Sequence, residues 1–255
     1  MSDCRPFGLR LSRDSARDLA RAAIAARPDS GVALVVTPNI DHIATIRRHP
    51  PLARAYRNAA RIVCDGWPVQ LYARLCGLRL ARVTGCEITS DLMRLAPYPA
   101  WHRFFFVVDS AATETAVRAW AERNGTRAET AVPPFGFERD PAYCAELAAR
   151  ISAHGTSVLL MAVGAPRSEV FVDTYRATLP ACWAFCVGQA VKIELGLIAR
   201  ASSRWQSAGL EWLWRLIQEP GRLAKRYAGA AVGFALAVIE DRLHGGLRTM
   251  QVNEQ

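Results

Sequence analysis

The chain has 255 residues, of which 51% are hydrophobic and 22% charged. This length and composition predict a globular protein with a sizeable core and exclude a disordered, fibrous or collagen-like chain. The net charge of +9 favours an anionic partner such as nucleic acid, a nucleotide or an acidic membrane surface. An arginine-rich proteome would produce the same surplus, and at this point both explanations stay open.

Short β-branched or aromatic runs alternate with helical patterns along most of the chain. The runs predict at least five strands, at 31–36, 61–64, 103–108, 157–163 and 182–187. The spacing of apolar residues between them predicts helices at 15–26, 52–60, 69–76, 88–95, 111–123, 141–153 and 168–178. The expected N-caps of three of these helices are Asp14 or Ser15, Ser110 and Asp140. This alternation predicts an α/β fold, with a mostly parallel Rossmann-like sheet and helices on both of its faces.

Small, polar and charged residues follow four of the predicted strands. They are Thr37, Pro38 and Asn39 after the first strand, Asp65 and Gly66 after the second, residues 164–169 after the fourth, and Gly188 and Gln189 after the fifth. Ligands of an open α/β sheet bind at the carboxyl ends of its strands. A substrate crevice is therefore expected where these segments meet.

The composition changes after about residue 195. Residues 199–226 carry a net charge of +4 and three of the seven tryptophans. Pro220 and Gly221 are expected to break or bend the helix there. Basic residues interleaved with Trp and Leu favour a membrane interface, and a helix that packs its apolar stripe on the sheet is the alternative. The stripe comprises Leu210, Leu213, Trp214, Ile217, Leu223, Tyr227, Phe234 and Val238.

Three patterns bear on where the protein works. The seven cysteines are scattered without a C-x-x-C pair, which is typical of a reducing cytosol rather than of a disulfide framework or a zinc site. The polar, mixed-charge residues 2–18 predict no secretory signal. The longest apolar run, 227–239, is too short to cross a hydrocarbon core of ~30 Å, so no membrane span is expected.

Five segments of the chain resemble the WecG/TagA/CpsF glycosyltransferase family, in the family's order and at suitable spacing. They are TPN at 37–39, CDGWPV at 64–69, RVTGCEI at 82–88, GAPRSE at 164–169 and GLEWLWRLIQEPGRLAKRY at 209–227. The resemblance implies an inverting glycosyltransferase that moves a sugar from a UDP-sugar to an undecaprenyl-diphosphate-linked saccharide in bacterial cell-surface polysaccharide synthesis. It also implies a peripheral location on the inner face of the plasma membrane, with an anionic membrane surface as a partner.

The resemblance identifies Asp65 as the catalytic base. Inverting transfer needs a general base that takes the proton of the acceptor hydroxyl as this oxygen attacks the anomeric carbon. A carboxylate at a strand end, followed by the flexible Gly66, is suited to project into the crevice. The alternative is that Asp-Gly forms an ordinary turn.

The remaining family segments imply a donor site. Thr37 and Asn39 supply hydroxyl and amide groups for sugar hydroxyls or a diphosphate, or else these side chains satisfy their own loop. Arg82 is expected to pair with a phosphate, and Gly85 to allow close approach of the backbone. Where the family has glutamine and an acidic residue, this chain has Ser168 and Lys192. The other expected donor-binding residues are Glu87, Gly164, Pro166, Arg167, Glu169, Gly188 and Gln189.

The same resemblance divides the chain into an α/β core at 1–195 and a basic, amphipathic helical appendage at 196–255 that associates with the membrane. Arg215, Arg222 and Arg226 of the appendage are expected to reach a lipid diphosphate or anionic headgroups; a solvated basic face is the alternative. The exposed stripe could instead serve a subunit interface in a homo-oligomer. The sequence has no D-x-D triad, so we expect a metal-independent enzyme without a cofactor, in which arginines and backbone amides neutralise the leaving diphosphate.

Two other functional classes are compatible with parts of the sequence. A Rossmann-like sheet suits a nucleotide-binding oxidoreductase, but no G-x-G-x-x-G follows a predicted strand. The basic charge and the tryptophans suit a nucleic-acid-binding protein, but no known nucleic-acid-binding module is evident. We therefore expect no nucleic-acid partner.

Overall fold

The computed structural model describes residues 5–199, 201–202, 205, 211–218 and 220–251. Within this part of the chain, six parallel strands form one sheet in the order β2-β1-β6-β5-β3-β4. The predicted α/β fold with a parallel sheet is confirmed. The strands are β1 (Val32–Val36), β2 (Arg61–Ile62), β3 (Arg103–Val107), β4 (Arg127–Ala131), β5 (Val158–Met161) and β6 (Cys182–Cys186).

Helices surround the sheet and continue beyond its last strand. The first nine are α1 (Ala16–Ala25), α2 (Ile40–Ile46), α3 (Pro50–Arg57), α4 (Trp67–Leu75), α5 (Gly85–Arg94), α6 (Ala111–Arg123), α7 (Pro141–Ala153), α8 (Arg167–Thr174) and α9 (Ala190–Glu194). The C-terminal helices are α10 (Glu211–Gln218), α11 (Pro220–His244) and α12 (Arg248–Gln251), and short 3-10 turns occur at Pro6–Gly8 and Phe137–Arg139.

The sheet separates two hydrophobic cores. Successive residues of a strand point to opposite faces, so Phe104 and Phe106 of β3 pack in one core while Phe105 and Val107 pack in the other. All four side chains are fully buried. Burial on both faces explains why most strands of this sheet are continuous apolar runs and could be predicted from the sequence.

Strand β4 was missed because its sequence has no apolar run. Its five residues, RAETA, lie at the edge of the sheet, and the first three are not buried. The strand forms through its backbone pairing with β3, which no local pattern reveals. The short helices α2 and α9 were also missed, since neither is long enough to establish a helical period.

Three of the expected N-caps are present. The side chain of Ser15 accepts a hydrogen bond from the backbone N–H of Asp18, and that of Ser110 accepts one from Thr113. The carboxylate of Asp140 accepts from the N–H groups of Ala142 and Tyr143. Each bond satisfies a donor that the first turn of a helix leaves free.

Helix α11 packs against α2 through small residues. Ala230 and Ala237 are buried, and a Cβ built on Gly233 would come within 2.5 Å of the Cβ of Ala44 in α2. Phe234 and Val238 of the predicted stripe pack against the core that α2 borders. Phe234 and Val238 therefore lie on the side of α11 that meets α2, whereas Ile217 of the stripe is 57% exposed. Leu210 and the side chain of Leu223 are outside the described residues, and the division of the chain at residue 195 stays a prediction.

The opposite face of α11 carries a second apolar row. Its members are exposed to between 39% and 72% and recur at helical spacing, at Val232, Leu236, Ile239 and Leu243. No helix among the described residues is long and apolar enough to cross a membrane. Helix α11 begins at Pro220 and α10 ends at Gln218, which fits the expected interruption, while residue 219 between them is outside the described residues.

Candidate active site

The four polar segments that follow β2, β1, β6 and β5 come together at one edge of the sheet. Parallel strands end on the same side, and β2, β1, β6 and β5 are consecutive neighbours in the sheet. The segments that follow them therefore lie side by side at the carboxyl edge. A direct bond joins two of them, because the N–H of Asp65 donates to the carbonyl oxygen of Pro38 at 3.1 Å.

Asp65 lies between the end of β2 and the start of α4. Gly66 has a φ of +93° and its α-carbon faces Asn39, so that a Cβ there would lie 3.5 Å from the Cβ of Asn39. A glycine at this position thus permits both the backbone turn and the contact with the neighbouring loop. The charge of Asp65 contributes to the raised pKa of Cys64, which burial and this carboxylate bring to about 12.

Asn39 caps helix α2. Its side-chain oxygen accepts hydrogen bonds from the N–H groups of Asp41 at 3.0 Å and His42 at 3.3 Å. Nδ1 of His42 lies 2.9 Å from the same oxygen. The loop is thus satisfied in part by its own side chain, as the alternative anticipated, while the NH2 group of Asn39 takes no part in this cap. Thr37 is buried at the end of β1, and the donor-binding roles of both residues stay predictions.

A polar cluster of the buried residues Glu169 and Tyr56 and the half-buried His42 lies beside this loop. Oε1 of Glu169 lies 3.7 Å from Nε2 of His42. Oε2 of Glu169 and the hydroxyl of Tyr56 are both buried and have no hydrogen-bond partner among the residues that the structure describes. The charges of Glu169, Cys186 and Asp65 add to burial in raising the pKa of Tyr56. Glu169 is 2% exposed, so the structure places this expected donor-binding residue inside the protein.

Burial favours the neutral form of both members of the Glu169–His42 pair. It raises the pKa of Glu169 from 4.5 to about 7 and lowers that of His42 from 6.5 to about 4. Loss of hydration outweighs the attraction between two charges at this distance. Between about pH 4 and pH 7, a protonated carboxyl group beside a neutral imidazole is therefore the favoured state.

Glu87 and Gly85 have structural roles at the start of α5. The carboxylate of Glu87 accepts the N–H of Thr84 at 2.8 Å, and the hydroxyl of Thr84 accepts the N–H of Glu87 at 3.1 Å. This is a capping box, whose T-x-x-E pattern is visible in the sequence. A Cβ on Gly85 would approach the carbonyl oxygen of Val187 to 3.2 Å, so the close contact is with the end of β6. Arg82 and Glu87 line a surface groove of about 340 Å³ beside the start of α1.

The segment after β5 turns sharply into α8. Gly164 has a φ of +81°, and the Ala165–Pro166 peptide is cis. Ser168 is buried, and its hydroxyl donates to the carbonyl oxygen of Gly164 at 3.2 Å. The guanidinium of Arg167 lies 5.0 Å from the ring centre of Phe135. Arg167 thus contacts the segment that follows β4, while Ser168 points inward.

Gly188 and Gln189 follow β6 and lead into α9. Lys192, which stands where the family has an acidic residue, pairs with Asp109. Its Nζ donates a hydrogen bond to Oδ2 of Asp109 at 2.7 Å. Asp109 follows β3 and was not among the expected site residues. This bond ties the end of β6 to the end of β3.

The appendage approaches the site through Arg226. Its guanidinium forms an ion pair with Asp41 in the first turn of α2, with Nε of Arg226 2.8 Å from Oδ2 of Asp41. This places Arg226 next to the helix that Asn39 caps. The side chains of Arg215 and Arg222 are outside the described residues, so the expected lipid contacts of all three arginines stay predictions.

Sequence reasoning missed a groove along helix α4. It has a volume of about 480 Å³ and begins two residues after Asp65. Four of its residues recur at i, i+3, i+4 and i+7, the spacing of one helix face. The spacing is visible in the sequence. Whether such a face packs in the core or lines a groove depends on its exposure to solvent, which the sequence does not show. The lining residues are Trp67, Gln70, Leu71, Arg74, Arg79 and Leu80.

The side chains present and the similarity of the chain to known proteins both bear on the chemistry of this site. Among the described residues, no group of three or more His, Cys, Asp and Glu side chains is arranged to hold a metal ion. The model of one protein family, the Glycosyl transferase WecG/TagA/CpsF family, matches residues 5–247. The match covers nearly the whole chain, including every segment on which the resemblance was based.

Proposed function

Because the chain belongs to the WecG/TagA/CpsF glycosyltransferase family, we propose that it transfers a sugar with inversion from a UDP-sugar to an undecaprenyl-diphosphate-linked saccharide. That it is a glycosyltransferase of cell-surface polysaccharide synthesis follows from the family itself. The observation that carries the finer proposal is the bond between Asp65 and Pro38. It holds an aspartate beside the Thr37–Asn39 loop at the edge of the sheet where ligands bind.

In the proposed reaction, Asp65 acts as general base. Its carboxylate takes the proton of the acceptor hydroxyl while the hydroxyl oxygen forms a bond to the anomeric carbon. The bond between that carbon and the donor oxygen breaks on the opposite face, and UDP leaves with the electron pair. Asp65 is half-buried, which leaves the carboxylate partly hydrated and close to its site of action.

Positive charge for the leaving diphosphate is available from protein side chains. Arg167 lies at the carboxyl edge of the sheet, and Arg82 lies in the segment that leads from α4 to α5. Arginine binds phosphate oxygens in a bidentate manner and keeps its charge at any working pH. This supports the proposal that transfer requires no metal ion.

The exposed apolar row on α11 supports a peripheral position on the inner face of the membrane. Side chains such as Val232 and Leu243 are exposed to 63% and 72%, and Lys225 and Arg226 lie nearer the start of the same helix. An apolar face near basic residues binds the surface of an anionic bilayer. Residues 196–255 are accordingly proposed to be a membrane-associating appendage to a core at 1–195, and a homo-oligomer through the same row remains the competing proposal.

The decisive experiment is a transfer assay. Purified full-length protein is incubated with a panel of UDP-sugars and a synthetic polyprenyl-diphosphate-linked saccharide, and released UDP and extended acceptor are both measured. One donor should yield equal amounts of the two products, with inverted configuration at the new bond. Release of UDP without extension of any lipid-linked acceptor, or retention of configuration, would refute the proposal.

A further inference from the structure

Helix α4 exposes an unusual face. Its buried side packs Val69, Tyr72 and Ala73 into the protein, whereas Trp67, Leu71 and Leu75 are 46%, 45% and 67% exposed. Large apolar side chains in a row on a surface helix indicate a binding surface rather than a packing face. The row starts two residues after Asp65 and follows the helix away from it.

Two arginines turn this apolar face into a charged groove. Arg74 and Arg79 are exposed, and both line the groove with Trp67 and Leu71. In the part of the chain that the structure describes, neither forms an ion pair with a carboxylate, in contrast to Arg94 and Arg118 on other helices. The bond from Gln70 Nε2 to the carbonyl oxygen of Leu80 at 2.8 Å holds the Arg79 segment against α4. Two guanidinium groups that line one groove and form no ion pair within the described residues complement a diphosphate.

The order of these groups along α4 is informative. Trp67 is two residues after Asp65 in the chain, and Arg74 is seven residues further on, about 10 Å along the helix axis. An aromatic side chain offers a flat face to a sugar ring, and the arginines come next, followed by the exposed Leu75. Helix α11 contacts the same helix through the bond from Tyr72 to Asp241, beside its own exposed Ile239 and Leu243.

We propose that this groove binds the acceptor, a glycosyl diphosphate carried on a lipid, with its sugar at Trp67, its diphosphate between Arg74 and Arg79, and its hydrocarbon chain leaving past Leu75. The inference rests on the proposed function and adds to it the location and the direction of the acceptor. The attacking hydroxyl then lies at the end of the groove nearest Asp65. The diphosphate of the UDP-sugar donor could bind the same arginines. The experiment must therefore distinguish binding of the acceptor from binding of the donor.

Binding is measured first, because it requires no turnover. Full-length protein is titrated calorimetrically with farnesyl diphosphate below its micellar concentration, and separately with UDP. The double variant Arg74→Gln/Arg79→Gln should bind farnesyl diphosphate at least about tenfold more weakly and bind UDP as the wild type does. The matched control is Arg123→Gln/Arg127→Gln, two exposed arginines at the opposite edge of the sheet, which removes the same charge and should change neither affinity.

Three outcomes overturn the inference: wild-type protein that does not bind farnesyl diphosphate, equal weakening in the control variant, or loss of UDP binding alone in the groove variant. The transfer assay then tests the sugar position. Trp67→Ala should raise the KM for the acceptor several-fold without changing the KM for the donor, and Trp67→Phe should restore it. Normal transfer with an unchanged acceptor KM in the groove variants refutes the groove alone, whereas groove-dependent binding without any transfer refutes the proposed function alone.

Discussion

The backbone N–H of Asp65 donates a hydrogen bond to the carbonyl oxygen of Pro38 across 3.1 Å. The two residues follow neighbouring strands, and each begins a loop that leads into a helix, α4 and α2. The bond therefore fixes the candidate base relative to the candidate donor loop independently of their side chains. Substitutions of the Asp65 side chain leave this bond in place, so their effects report on the carboxylate.

Replacing Asp65 by Asn should lower the turnover number by about 10²–10⁴-fold, because the amide cannot accept the proton of the acceptor hydroxyl. UDP binding should stay near that of the wild type. Turnover comes from the transfer assay and binding from calorimetry, with the melting temperature as a check of folding. Near-normal turnover in this variant would remove Asp65 from the mechanism.

Glu169 should make the protein less stable as the pH rises. Its pKa in the folded protein is about 7, raised by burial from 4.5, so the unfolded chain releases this proton at a lower pH than the folded one. The contribution to stability is full below pH 4.5 and is lost as the pH rises through 7. Glu169→Gln mimics the protonated form, and at pH 8 it should exceed the wild type in free energy of unfolding by about 3 kcal/mol. Urea denaturation at pH 4.5 and pH 8 measures the difference, which should be small at the lower pH.

His42 should produce the opposite trend in the same experiment. Burial lowers its pKa to about 4 from 6.5, so its contribution is full above pH 6.5 and is lost as the pH falls through 4. His42→Gln should flatten the stability profile between those values. The quantity to compare is the change of the free energy of unfolding with pH. Its absolute value is not suitable, because the variant also removes the contact between His42 and Asn39. A slope equal to that of the wild type would contradict the assignment.

Gly233→Ala should destabilise the protein by about 1–3 kcal/mol, because the added methyl group overlaps Ala44 of α2. Gly229→Ala in the same helix is the matched control, since nothing lies within 4 Å of a Cβ at that position. The control should be neutral or more stable by about 0.5–1 kcal/mol. Thermal and urea denaturation give both values, and adding Ala44→Gly should recover much of the stability that Gly233→Ala loses.

Removing divalent cations should leave transfer unchanged, because arginines supply the positive charge in the proposed mechanism. The rate is measured with excess EDTA and again after addition of Mg²⁺ or Mn²⁺. A rate that EDTA abolishes and Mn²⁺ restores would show that the enzyme needs a metal ion.

Much of the fold could be predicted from the sequence because buried parallel strands are locally apolar. The runs that contain β1, β3, β5 and β6 are of this kind, and α6 and α7 were predicted at the bounds observed. Strand β4 depends on pairing with β3 across a helix, so its own residues carry little information. Local sequence patterns thus predict the strands and helices whose own residues favour them, but not a strand that forms through pairing with a distant one.

The candidate site could be predicted only as a set of segments. The loops after β2, β1, β6 and β5 are neighbours because of the order of the strands in the sheet. This order cannot be derived from local sequence patterns. The burial of Glu169 and the ion pair of Arg226 with Asp41 both depend on contacts between residues far apart in the chain. The exposure of Trp67 and Leu71 likewise depends on how segments far away in the chain pack around α4, which the sequence does not show.

Helix α11 obeys two independent sets of constraints. Its inner side meets α2 at Gly233 and Ala237, where any larger side chain must separate the two helices. Its outer row, from Val232 to Leu243, touches solvent and needs only to be apolar. Apolar substitutions can therefore accumulate on the outer row while the inner side stays constant. The surface that α11 presents to its surroundings can change without disturbing helix α2, which Asn39 caps.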